Sequence, residues 1–102
     1  MKINIKGKPY KVKFVENTFL SGDTPCVGII NYEKQEIKIA NHDREQTPRT
    51  IYHELLHGFL KECGLNNYAS DETLVDWFAN NIQEINSCAA AMILKAKEGG
   101  KC

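Results

Sequence analysis

Thr47-Pro48-Arg49-Thr50-Ile51-Tyr52-His53-Glu54-Leu55-Leu56-His57-Gly58-Phe59-Leu60-Lys61-Glu62-Cys63-Gly64 is the stretch on which the fold turns. Before it, apolar and polar residues alternate in twos, as strands require; within it the spacing changes to threes and fours. Thr47 ahead of Pro48 reads as a helix start, a threonine cap and then proline, whose missing N–H costs nothing at the first helical position. Gly64 supplies a left-handed stop, so a helix is expected over about 48–63. At about 100° per residue, Ile51, Tyr52, Leu55, Leu56, Phe59 and Cys63 fill one arc for the core.

Upstream, Ile3 and Ile5 precede Gly7-Lys8-Pro9, and Tyr10, Val12 and Phe14 alternate with Lys11 and Lys13, which predicts an antiparallel hairpin. Asn17 to Pro25, with Gly22-Asp23, reads as a loop. Cys26 to Tyr32 is a second apolar run, turned back by Glu33 to Glu36 into Ile37-Lys38-Ile39-Ala40. That last segment alternates as a strand with one wet face should. It is either a sheet edge that aligns an extended peptide by main-chain pairing or an ordinary member of the sheet. Downstream, Leu65 to Ala69 reads as a loop. Ser70 is the expected cap of a second helix over about 71–97, ending at Gly99-Gly100, with Leu74, Val75, Phe78, Ile82, Ile85, Ala89 and Met92 facing the core. The expected fold is one α+β domain over 1–102, an N-terminal antiparallel or mixed β-sheet followed by two helices.

The 102 residues include 13 basic and 13 acidic ones, a balance that argues against a nucleic-acid partner, since phosphate binding needs clustered positive charge. With 42% hydrophobic residues the chain is too apolar for disorder. Met1 to Lys6 lacks an apolar stretch behind its charge, so no export signal is expected. The longest apolar run, Cys88 to Leu94, falls far short of the roughly 20 residues that span a membrane. Cys26, Cys63, Cys88 and Cys102 show no Cys-x-x-Cys spacing, so free thiols in the cytoplasm are expected rather than a zinc cluster or disulfides.

Inside the first helix stands His53-Glu54-Leu55-Leu56-His57. Histidines at i and i+4 share one helical face, so both imidazoles can reach one metal ion, and zinc accepts such nitrogens while leaving a position for water. Glu54, beside the first ligand, is then the general base that takes the proton of that water. A third ligand is needed. Glu72, Asp76, Asp71, Glu62, Cys63 and His42 are the candidates. Glu62 and Cys63 project elsewhere on the helix, and His42 lies in a polar loop. Glu72 and Asp76 are again i and i+4, on the second helix. Glu72 is favoured as ligand, with Asp76 holding a histidine N–H; Asp76 as ligand is the fallback. Tyr32, Tyr52 and Tyr68 are candidates for stabilising an oxyanion.

Thr50-Ile51-Tyr52-His53-Glu54-Leu55-Leu56-His57-Gly58, followed by Glu72-Thr73-Leu74-Val75-Asp76-Trp77-Phe78-Ala79, resembles the minimal zincins of the ImmA/IrrE type, common in phages and mobile elements. It also resembles the wider gluzincin pattern, in which Glu-x-x-x-Asp supplies the third ligand and a supporting acid; Glu72 and Asp76 match those positions. The resemblance implies a zinc metallopeptidase acting on a peptide or protein, in some relatives a repressor, and a host-cytoplasmic location if phage-encoded. The helix-turn-helix or sensor domain that many relatives carry is not expected here. The rival expectation is a non-catalytic interaction module that holds zinc in a zincin fold.

Overall fold

The computed structural model describes residues 1–41 and 43–98. Six strands precede three helices: β1 (Lys2–Ile5), β2 (Lys8–Val15), β3 (Phe19–Ser21), β4 (Thr24–Cys26), β5 (Gly28–Asn31), β6 (Glu36–Ala40), α1 (Gln46–Glu62), α2 (Asn66–Ala69) and α3 (Glu72–Glu98). The protein is α+β, with a mixed four-stranded sheet in the order β1-β2-β6-β5 and a separate β3-β4 ribbon.

The β1-β2 hairpin forms as the alternation predicts, with Ile3 opposite Tyr10. The 17–25 segment is not the plain loop expected: β3 and β4 pair across Gly22-Asp23, with Leu20 opposite Pro25. β5 and β6 form an antiparallel hairpin, and β6 also pairs in parallel with β2, Val12 opposite Ile37 and Phe14 opposite Ile39. Of the two readings of Ile37–Ala40, the ordinary sheet member holds: β6 pairs with β2 on one flank and β5 on the other, with Ile37, Ile39 and Ala40 buried, whereas β5 has one neighbour in its sheet.

One face of the sheet packs on α1 through Ile5, Tyr10, Ile37 and Ile39, joined by Val12, Ile30, Ile51 and Leu55. Glycines at two crossings set the distance between sheet and helix. A Cβ on Gly58 would stand 2.8 Å from Ile5 Cδ1, and one on Gly28 would stand 2.5 Å from Thr50 Cγ2. Both contacts are closer than carbon atoms tolerate. Gly58 and Gly28 thus let α1 lie directly over β1 and β5.

The helix ends differ in detail from the expectation. Thr47 sits inside α1, and the cap role falls to Asp43, whose Oδ1 accepts from the amides of Glu45 at 2.7 Å and Gln46 at 2.9 Å. Thr47 Oγ1 reciprocates by accepting from the Asp43 amide. Gly64, at φ +78°, ends the helix as predicted. The segment expected as a loop winds into the single turn α2, which Ser70 closes by donating to the carbonyls of Asn66 and Asn67. Asp71, rather than Ser70, caps α3 by accepting from the Leu74 amide. α3 lies on α1 and buries Val75 and Ala79.

Two core assignments are corrected. Phe59 and Cys63 lie on the exposed side of α1, and Leu74, Ile85, Ala89 and Met92 of α3 are exposed. At 27 residues α3 is about 40 Å long and outlasts the 17-residue α1, so 83–98 have no helix beneath them. Cys26, Cys63 and Cys88 are free thiols. Cys102, His42 and the stop at Gly99-Gly100 lie outside the described residues. Among the described residues no helix is long and apolar enough to cross a membrane.

Candidate metal centre

The middle of α1 carries His53, Glu54 and His57 toward the first turn of α3, which carries Glu72 and Asp76. The two histidine Nε2 atoms are 3.2 Å apart. His57 Nε2 lies 3.1 Å from Glu72 Oε1, and His53 Nε2 lies 3.3 Å from Glu72 Oε2. Zinc bound tetrahedrally at about 2.0–2.1 Å places its ligand atoms roughly 3.3 Å from one another, so the observed spacing suits one ion among His53, His57 and Glu72.

The hydrogen bonds behind the rings decide what those Nε2 atoms can do. His57 Nδ1 lies 2.6 Å from the carbonyl oxygen of Ala69. A carbonyl only accepts, so the proton of neutral His57 sits on Nδ1 and its Nε2 holds a lone pair. His53 Nδ1 lies 3.0 Å from Asp76 Oδ1, which assigns the same tautomer against an ionised carboxylate. The two nitrogen lone pairs therefore face each other at 3.2 Å and each faces a different Glu72 oxygen within 3.3 Å, with one ligand atom from each of the three residues lying within 4.8 Å of the others. Such a set holds together around a cation, and its nitrogen and oxygen donors are of the kinds zinc takes. The Ala69 and Asp76 contacts are the outer support that fixes metal-binding rings elsewhere.

Glu54 stands beside this cluster with 7% of its surface exposed. Its Oε2 and Cγ lie over Gly28 of β5, where a Cβ would come within 3.0 and 3.2 Å of them. Burial pushes its pKa up, and Glu72 adds to the rise, while His53 and His57 pull it back down. No hydrogen bond within the described residues occupies its carboxylate, yet neither oxygen is sealed from solvent. A proton acceptor of raised basicity thus opens onto the cluster.

A cleft of about 570 Å³ runs between β5 and the helices, past Glu54, His57 and Glu72. Tyr32 lines it; Tyr52 and Tyr68 do not. Burial first, then the Glu54 and Glu72 carboxylates, raise the Tyr32 pKa, so its hydroxyl stays a donor. Of the other ligand candidates, Glu62 is turned away and accepts from the Tyr10 hydroxyl at 2.6 Å. Cys63 is exposed beyond the helix end, and Asp71 is engaged as a cap.

Sequence reasoning missed Ala69 and Lys61. A backbone carbonyl leaves no mark in residue types, so nothing pointed to Ala69. Lys61 had a signal: it is one further i+4 step along the His53-His57 stripe, and it too lines the cleft. Comparison with known proteins finds no matching family model, no matching curated protein and no matching solved structure.

Proposed function

We propose that the protein is a zinc-dependent peptidase, a minimal zincin that resembles the ImmA/IrrE type, and that it works in the cytoplasm. The observation that carries this is the pair of histidine lone pairs turned onto the Glu72 carboxylate, with Glu54 unoccupied at their side. His53, His57 and Glu72 would hold the ion, and Asp76 and Ala69 would orient the two rings. A bound zinc supplies Lewis-acid polarisation of the scissile carbonyl and makes water a better acid.

The chain's own groups do the rest. Glu54 removes a proton from the water that attacks the carbonyl carbon, and delivers it to the amide nitrogen as the C–N bond breaks. Burial favours the protonated form of this carboxyl, so it holds the proton between the two transfers better than an exposed glutamate would. β5 has one sheet neighbour among the described residues, and its Gly28, Ile29 and Ile30 line the cleft, so this strand can align an extended peptide by main-chain pairing.

The test is Glu54→Gln, which keeps size and polarity and removes the base. With a proteome-derived peptide library as substrate, the zinc-loaded parent should cleave, and the variant should be slower by about 10²–10⁴-fold. Zinc content should stay at one per chain in both. Equal cleavage by the variant sinks the mechanism. If zinc removal unfolds the chain and no peptide is cut, the non-catalytic module replaces this proposal.

A further inference from the structure

Lys61 is the single cationic side chain lining the cleft among the described residues, one helical turn beyond His57 on the same stripe of α1. It is half-buried, and no carboxylate among the described residues lies within ion-pair distance of its ammonium. Glu62, its neighbour in sequence, accepts from Tyr10 and pairs with Lys8, and feels Lys61 only as a weaker electrostatic pull. The Lys61 ammonium lies instead 5.5 Å from the ring centre of Tyr32, which brings it to the opposite wall of the cleft. The Tyr32 hydroxyl has no hydrogen-bond partner within the described residues, and neither does the side-chain amide of Asn66 at the same end. One end of the cleft thus gathers donors that have no hydrogen-bond acceptor among the described residues. The carboxylates lining the cleft, Glu54 and Glu72, stand at the metal end and reach Tyr32 only electrostatically, without a hydrogen bond.

We propose that Lys61, with Tyr32 beside it, binds a carboxylate of the substrate and thereby selects which peptide bond meets Glu54. This rests on the peptidase reading and names the substrate class for the same site. A cation that is half removed from water, with no ion pair among the described residues, favours an anion over a neutral group. One turn of helix is about 5.4 Å, and an extended residue covers about 3.3 Å, so the carboxylate lies within about two residues of the bond cleaved. Its source is either an acidic side chain or a free C-terminus. The first makes an endopeptidase with acidic preference, the second an enzyme that trims chain ends.

The experiment measures binding, by 15N chemical-shift titration of the zinc-loaded chain carrying Glu54→Gln throughout, so that no probe is cut. Three probes are used: blocked Ala-Ala-Asp-Ala-Ala, its Asn counterpart, and N-acetyl-penta-alanine with a free C-terminus. At least one acid should bind about tenfold more tightly than the neutral Asn peptide, and which acid wins identifies the source. Lys61→Met should erase that preference while keeping one zinc per chain, and Lys61→Arg should restore it. No preference in the parent, or a preference that survives in Lys61→Met because the carboxylate sits on the metal, overturns the subsite. Binding is read without turnover, so the two proposals fail separately. Selective binding with no cleavage of any library peptide counts against the hydrolase, and cleavage without carboxylate preference counts against Lys61.

Discussion

The two walls of the metal centre are built by opposite means. On the α1 wall, His57 is buried and bonded to Ala69, and Glu54 is pressed onto Gly28, so both side chains are placed by the sheet and by α2 whether or not an ion is present. On the α3 wall, the Glu72 and Asp76 side chains are 64% and 62% exposed, and their partners among the described residues are the histidines themselves. The first wall is preorganised by packing. The second is assembled by the site. Preorganisation belongs where chemistry needs accurate placement, beside the base, while an exposed acid can swing onto an ion at small cost in stability.

Removing one ligand from each wall should separate these roles most sharply. His57→Ala deletes a nitrogen ligand and also strands the Ala69 carbonyl, so zinc affinity should fall by more than about 100-fold, the upper range for supporting residues. The metal-free protein should in addition lose about 1–3 kcal/mol from the unsatisfied buried carbonyl. Glu72→Ala should weaken zinc comparably yet leave the metal-free melting temperature near the parent's. Zinc competition titrations and metal-free thermal melts read the two effects apart. Equal destabilisation by both substitutions would mean that the walls are built alike.

The same contrast explains what could be read from the chain. Strands with one wet face announce themselves, so the two hairpins and the core of Ile5, Tyr10, Ile37 and Ile39 were legible. The parallel β2-β6 pairing was not, because register between distant strands depends on which flank each buries, and period alone is silent on that. His53, Glu54 and His57 were legible because helical spacing places them, and Glu72 with Asp76 because they repeat that spacing on the next helix. Which strand is the edge stays open in the sequence for a physical reason: β5 reads as a continuous apolar run, the usual mark of an inner strand, yet it has one sheet neighbour among the described residues and lines the cleft. The core placement of Ile85, Ala89 and Met92 failed for another reason. An apolar stripe shows what a helix can bury and says nothing of whether a neighbour is long enough to cover it.

Asp76 offers a subtler way to sharpen the comparison. It holds His53 Nδ1 at 3.0 Å, the role that Ala69 plays for His57. Asp76→Ala should reduce zinc affinity by about 10–100-fold without removing the site, since His53 keeps its nitrogen and loses only its orientation. His53, at 22% side-chain exposure against 9% for His57, has room to turn once released. An unchanged affinity would mean that α1 alone fixes both rings.

The smallest effect tests what anchors the α1 wall at its far end. The Tyr10 hydroxyl donates to Glu62 at 2.6 Å, and Lys8 lies 3.2 Å from the other carboxylate oxygen. The Tyr10 bond first, and Lys8 after it, hold the Glu62 pKa below the usual glutamate value. A carboxylate lowered on folding contributes stability above its unfolded pKa, and that contribution disappears as pH falls through the lowered folded value. Glu62→Gln should therefore melt below the parent at pH 7, and the two curves should converge as the pH drops past the ordinary glutamate range. Because Glu62 lies at the end of α1 away from His53, zinc affinity at neutral pH should stay at the parent value throughout. Loss of zinc in this variant would show that the placement of His57 depends on the Tyr10 anchor, and the α1 wall would then owe less to Gly28, Gly58 and the core beneath it than its packing implies.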